Sequence, residues 1–287
     1  MRSGSHRPGT LPGRPGKNAD DRLDYPRHPR PPGEAGSLAG LRALVTGGAS
    51  GIGAATSRAL AACGDRVVIA DVDGQAAESV ATEIGGSVWT VDLLEANALT
   101  DAALVAPLTG VDILVNNAGI QRVSPIEEFD PADFRRILSL MLEAPFLLIR
   151  AALPGMYGRG FGRIINVSSV HGIRASAFNS VYVSAKHGLE GLSKVTALEG
   201  GAHGVTSNCV APGYLRTPLK EKQLAEQAVV HGIPGSEVLS RIMLTESAIK
   251  RLVEPEEVAS LIAWLASQEA AMVTGASYTM DGGWSAR

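Results

Sequence analysis

Seven short, near-continuous apolar runs punctuate the chain, at residues 42–46, 66–71, 87–91, 113–116, 163–168, 206–211 and 277–280. Runs of Val, Ile and Leu without polar alternation are what strands covered on both faces require. Between them, apolar residues recur at three- and four-residue spacing over 52–63, 73–84, 131–153, 182–200 and 255–266, which predicts helices. Alternating strands and helices imply a parallel sheet joined by right-handed crossovers, with helices on both faces. Residues 37–287 carry this pattern throughout, so one α/β domain is expected. In such a sheet, ligands gather beyond the carboxyl ends of the strands. The polar motifs of this chain stand at those ends.

Residues 1–36 break the pattern, being dominated by Arg, Pro, Gly, Ser and His. A segment so poor in aliphatic residues cannot offset its ordering entropy, and a disordered extension without function is expected. It holds seven Lys and Arg against four Asp and Glu, leaving 19 against 25 for the rest. A basic arm on an acidic domain also suits an interaction arm or a transit peptide, but its prolines oppose an amphipathic targeting helix. Across all 287 residues the net charge is -3, which points away from nucleic acid and anionic membranes as partners. No apolar run is expected to span a bilayer. Cys63 and Cys209 lie far apart without metal-ligand spacing. No metal is expected, and the pair suits a reducing cytoplasm.

The first strand runs into Gly47, Gly48, Ala49, Ser50, Gly51, Ile52 and Gly53, and then into a helix. Glycines here let the backbone approach a pyrophosphate, whose charge is favoured at a helix N-terminus. A tight turn needs glycine for steric reasons as well. Asp71 ends the second strand, eighteen positions after Gly53. A carboxylate there accepts the adenosine-ribose hydroxyls and repels a 2′-phosphate, so NAD is expected over NADP. The alternative is that Asp71 caps a helix. Asp92 and Leu93 after the third strand are candidates to meet adenine, Asp92 alternatively capping a helix. Asn117, Ala118 and Gly119 after the fourth leave room for a cofactor, though alone they make a good turn. The expected architecture is a single Rossmann-type, doubly wound parallel sheet. A small helical lid over 217–247 should exclude water during reaction, its alternative being a peripheral hairpin.

The fifth strand ends near Ser169, and Tyr182 follows thirteen residues later with Lys186 one helical turn beyond. A nearby ammonium favours phenolate and is expected to lower the tyrosine pKa. Tyr182 would then exchange a proton with an alcohol or carbonyl, while Ser169 hydrogen-bonds the substrate oxygen. An isolated Tyr/Lys pair is also an ordinary amphipathic contact.

Taken together, the glycine loop, residues 116–119, Ser169, Tyr182, Lys186 and Pro212-Gly213 resemble the short-chain dehydrogenase/reductase family. The resemblance implies hydride transfer at nicotinamide C4, with Lys186 also holding the nicotinamide ribose. It implies that Leu215 and Thr217, after Pro212-Gly213, meet the carboxamide, and that the protein is a homotetramer. The family often carries an asparagine in its fourth helix whose carbonyl holds a relay water. Here that position is Met141, and Pro145, four residues on, has no N–H to donate to the Met141 carbonyl. A kink that frees this carbonyl is expected.

The second half is similar to the D-3-hydroxybutyrate dehydrogenases within that family. The shared stretches include 117–121, 185–189, 212–214, 221–223, 231–234 and 281–284. This implies that Gln121, His171, position 179 and Gln223 grip a substrate carboxylate, with Tyr214 nearby and Trp284 closing the methyl end. Position 179 carries Asn where that group has Lys. An ammonium–carboxylate bond contributes about 1.5–3 kcal/mol and a neutral amide less. Asn179 therefore implies either weaker grip on 3-hydroxybutyrate or a preference for an uncharged hydroxy compound. His171, if protonated, and Arg174 are the nearby cations that would compensate. Residues 182–200 and 131–153 resemble the helices with which the family assembles.

Overall fold

The computed structural model describes residues 40–95, 106–216 and 234–286, and within them a parallel sheet runs in the order β3-β2-β1-β4-β5-β6-β7. The strands are β1 (Arg42–Thr46), β2 (Arg66–Asp71), β3 (Ser87–Thr90), β4 (Ile113–Asn116), β5 (Gly162–Val167), β6 (Val205–Pro212) and β7 (Ser277–Met280). Each expected strand is present, with ends moved by at most one residue. The order reverses between β1 and β4, which pair with Val45 opposite Val115. A crevice for a ligand belongs at that reversal.

Burial explains the apolar strands. Val45 faces a core built with Leu60, Ile69, Ile262 and Leu265. Its neighbour Leu44 faces the opposite core of Leu114, Leu148, Ala152 and Met156. Successive side chains of one strand thus enter different cores, each full burial of an aliphatic side chain stabilising by roughly 1.5–3 kcal/mol. The first core is closed by α1 (Gly51–Ala62) and α2 (Gly74–Ile84).

The single helix expected over 131–153 is three joined pieces: α3 (Pro131–Leu138), a π turn (Ser139–Glu143) and α4 (Ala144–Arg159). The Ala144 N–H bonds the Ser139 carbonyl, five residues back. Pro145 offers no amide to continue an α pattern, so an inserted residue accommodates the break. Together Pro131–Arg159 is long and apolar enough, by length and composition, to cross a membrane. That corrects the expectation that no segment is. Its Leu148, Ile149, Ala152 and Met156 nonetheless pack on the sheet, the place of a core helix.

The helix that carries Tyr182 and Lys186, α5 (Ser180–Gly200), begins two residues earlier than expected. Of the expected lid, α6 (Gly235–Val238) and a π turn (Leu239–Met243) are seen, and residues 217–233 lie outside the described residues. So does the 1–36 extension. The last helix is α7 (Pro255–Ala266), which starts in a capping box of Glu254 and Glu257. By length and sequence, α7 falls where expected.

Candidate active site

The turn after β1 is built for close approach. Gly47 has φ of 60°, and a Cβ on Gly53 would lie 2.0 Å from the Gly47 carbonyl oxygen. Only glycine at position 53 lets α1 start this close to β1. Ser50 is the α1 N-cap residue, and its side chain makes no capping bond. Asn117 braces the turn, its Nδ2 donating to the carbonyls of Thr46 and Gly47 at 2.9 and 3.1 Å. The amides of Asn117 and Ala118 donate in turn to Thr46 Oγ1. Thr46 was not singled out in the sequence, because its role lies in a contact about seventy residues away.

Asp71 does not cap α2; Asp73 does, accepting from the Ala76 amide. The Asp71 carboxylate accepts instead from Ala49 N–H at 3.0 Å and Asp73 N–H at 3.1 Å. It is thereby fixed at the carboxyl end of β2, beside the glycine turn, where a ribose would lie. Asp92 caps its own turn through the Leu94 amide. Leu93 is buried in the core with Val91 and Leu108, so its side chain is committed to packing rather than held out toward a ligand.

A cavity of about 230 Å³ opens at the strand ends between these groups. Ile52, Asn117, Gly119, Gln121, Ser169, Tyr182, Lys186, Pro212, Gly213 and Leu215 line it. Met141, expected at the relay position, lines it too, as does Ser168, to which no role was assigned. Ser169 caps the Val170–Gly172 turn, its hydroxyl accepting from the His171 amide at 3.2 Å. Lys186 is buried, and its Nζ donates to the Val167 carbonyl at 2.6 Å while standing 5.7 Å from the centre of the Tyr182 ring. Burial lowers the Lys186 pKa to about 8.

Burial pushes the Tyr182 phenol above its ordinary value, and a hydrogen bond with Ser169 opposes the rise. This corrects the expectation of a lowered phenol: desolvation of the phenolate outweighs its stabilisation by the surroundings.

Of the expected carboxylate-gripping residues Gln121 lines the cavity, and His171 and Asn179, with Trp284 of the methyl end, stand outside its lining. His171 makes edge-on ring contacts with Tyr182 at 6.0 Å and with Trp284 at 6.1 Å. Its Nε2 meets Ser176 Oγ at 2.9 Å. Burial, helped by His187, pushes His171 below its ordinary pKa, so it is not a ready cation. Arg174 reaches away to the Ser285 carbonyl at 3.1 Å. Gln121 Nε2 donates to Asn179 Oδ1 at 2.7 Å, and Asn179 Nδ2 donates to the Ala177 carbonyl at 3.1 Å. Phe178, just before Asn179, is the one described non-glycine residue with positive φ, at 65°. Such strained backbone concentrates at functional sites. Tyr214 is exposed, its carbonyl accepting from Val253. Thr217 and Gln223 lie outside the described residues. Among the described residues, no group of three or more His, Cys, Asp or Glu is placed to hold a metal.

Residues 47–285 match the family model described as Enoyl-(Acyl carrier protein) reductase. The chain is 43% identical over 254 residues to the D-beta-hydroxybutyrate dehydrogenase of Rhizobium meliloti (strain 1021), covering 85% of this chain and 98% of that relative. It is 42% identical over 257 residues to the enzyme of the same name from Cupriavidus necator, covering 87% of this chain and all of the relative. A solved structure described as a short chain dehydrogenase/reductase family protein is 37% identical, with a TM-score of 0.77, and covers 88% of this chain and 100% of that one. The chain belongs to the short-chain dehydrogenase/reductase family. It is an oxidoreductase acting on hydroxyl groups with a nicotinamide cofactor. The glycine turn and the strand-end cavity fit such a group: Gly51, the first residue of α1, borders open space, and Ile52, Pro212 and Gly213 line the cavity beside it.

Proposed function

We propose that the protein oxidises (R)-3-hydroxybutyrate to acetoacetate with NAD, and that Tyr182 takes up the hydroxyl proton. The observation that carries this is the meeting of Ser169, Tyr182, Lys186 and Gln121 on one strand-end cavity. A bound nicotinamide supplies the hydride acceptor. Gly47, Ser50, Gly51, Ile52 and Gly53 hold the pyrophosphate, Asp71 the adenosine ribose, and Pro212, Gly213, Leu215 and Thr217 the nicotinamide end. Asp71 carries the preference for NAD, since its carboxylate repels a 2′-phosphate.

Tyr182 acts as general base toward the substrate hydroxyl, and Ser169 hydrogen-bonds the oxygen as it becomes a carbonyl. The Lys186 ammonium is the charge that makes phenolate accessible in a site whose burial opposes it. No amide from residue 145 can reach the Met141 carbonyl. We assign that carbonyl to a relay water through which the proton returns to solvent.

The carboxylate of the substrate would meet Gln121, Asn179, His171 and Gln223, with Trp284 over the methyl end. A second reading, an uncharged secondary alcohol as substrate, is favoured by the neutral Gln121–Asn179 pair. The test is NADH production from (R)-3-hydroxybutyrate against 2-butanol, with wild type and Asn179→Lys. Restoring the ammonium should raise kcat/KM for hydroxybutyrate by about tenfold or more, the worth of a charge-assisted bond. If 2-butanol is the better substrate and Asn179→Lys leaves hydroxybutyrate turnover unimproved, the second reading holds.

The exposed groove lined by Phe134, Leu138, Leu142, Phe146 and Leu192 supports assembly through α3, α4 and α5, and we propose a homotetramer. A cytoplasmic setting is proposed from the free Cys63 and Cys209.

A further inference from the structure

One helical turn beyond Lys186, outside the residues that line the cavity, lies a buried acid that the sequence did not single out. Glu190 follows Lys186 by one helical turn on α5 and is 3% exposed. Residues four apart on a helix share a face. The Glu190 carboxylate accepts from Ser277 Oγ of β7 at 3.0 Å. Its stem packs under the turn that follows Ser169. A Cβ on Gly172 would lie 2.4 Å from Ser168 Oγ, 3.1 Å from Glu190 Cγ and 3.2 Å from the Lys186 carbonyl oxygen. The serine turn, the lysine backbone and the acid therefore meet at one glycine. A larger residue at position 172 would separate them.

A buried ammonium without a counter-charge is strongly disfavoured. The titratable groups on α5 and the elements packed against it include Tyr182, His187, Lys194 and Glu199 on α5, His171 in the Val170–Gly172 turn, Cys209 on β6, Arg163 on β5, Asp133, Arg135 and Arg136 on α3 and Glu143 in the π turn. Asp281 follows β7. Of these Cys209 alone, besides Glu190, acts on the charge of Lys186. Glu143 is bonded to Ser139, and Asp281 accepts from the amides of Gly283 and Ser285. Cys209 is wholly buried. Its thiol is pushed up to about 12 by burial, so it stays neutral and cannot serve as the anion. That leaves Glu190, whose charge acts on Lys186 in the direction that retains its proton.

We propose that Glu190 is the counter-ion of Lys186, a positioning residue that keeps the ammonium charged and through it sets the protonation of Tyr182. The proposal rests on the reading of Tyr182 as the proton-transfer residue, but its test does not need the substrate. The chain holds six lysines, few enough for the ε-carbon of Lys186 to be followed by NMR in carbon-13 lysine-labelled full-length protein. Its signal is identified as the one missing from Lys186→Arg.

In wild type, Lys186 should titrate with a midpoint near 8. In Glu190→Gln the midpoint should fall by about one pH unit, the size expected for one charge lost about a helical turn away. Glu190→Asp, which keeps the charge, should restore most of that unit. The alkaline limb of kcat/KM for (R)-3-hydroxybutyrate should move down in step with the NMR midpoint. Should Glu190→Gln fail to fold, Ser277→Ala provides the test, because it removes the hydroxyl that orients the carboxylate. A smaller fall of the same sign is expected there. A Lys186 midpoint unchanged within 0.2 units in the folded variant tested, a margin of roughly 0.3 kcal/mol, overturns the proposal. Absence of hydroxybutyrate turnover in wild type, with the NMR shift present, overturns only the substrate.

Discussion

A phenol and an ammonium buried side by side are each pulled toward neutrality, and the pull on Lys186 has a consequence for stability. Its folded-state pKa, lowered to about 8 from 10.5, means that the folded protein binds this proton less tightly than the unfolded chain. Between those values the unfolded chain carries the extra proton, so stability contributed by this group rises with pH there. Below about pH 8 the folded state bears the cost of a charged, buried amine. Lys186→Met combined with Glu190→Gln removes that cost without leaving a buried carboxylate unpaired. Unfolding free energy at pH 7 is expected to rise by about 1–3 kcal/mol in urea denaturation, while turnover is lost. A variant less stable than wild type at pH 7 would show that the bond to the Val167 carbonyl outweighs the desolvation.

At the scale of elements, the strands were legible because both of their faces are buried, and that demand writes itself into contiguous Val, Ile and Leu. Tyr182 and Lys186 were legible because helical spacing alone places them together. The π turn at Ser139–Glu143 was only half legible. Pro145 announces a break in the α pattern, but whether the chain kinks or inserts a residue is decided by packing of Met141 and Ile137 against α5. Pro145→Ala restores an amide able to reach the Met141 carbonyl. If that carbonyl holds the relay water, kcat should fall by about tenfold, within the range of a lost proton-transfer aid, with KM held within about twofold. An unchanged kcat in steady-state assays would remove the relay from the account.

Over the whole molecule, what escaped the sequence are contacts between distant segments. Glu190 meets Ser277 across 87 positions, and Arg174 meets Ser285 across 111. No local pattern encodes either, since each partner looks like an ordinary polar residue in its own helix or turn. The sign of the Tyr182 shift was missed for a similar reason: it depends on burial, which only the assembled fold sets. Phe146 is about half exposed and lines the apolar groove with Leu142. An apolar groove of this kind is costly to leave in water. Phe146→Glu is expected to convert the assembled protein to smaller species in sedimentation velocity at micromolar concentration, without loss of the monomer fold by circular dichroism. A wild type that sediments as a monomer would contradict the proposed tetramer.

The claim on which the rest depends is that Tyr182 moves the substrate proton in an NAD-linked oxidation. It is tested most directly by initial rates of NADH formation from (R)-3-hydroxybutyrate in wild type and Tyr182→Phe, with NADH binding followed in both. The account predicts turnover in wild type, a loss of at least about a hundredfold in the variant, and NADH affinity within a few-fold. A Tyr182→Phe protein that binds NADH and turns over hydroxybutyrate at the wild-type rate would contradict it.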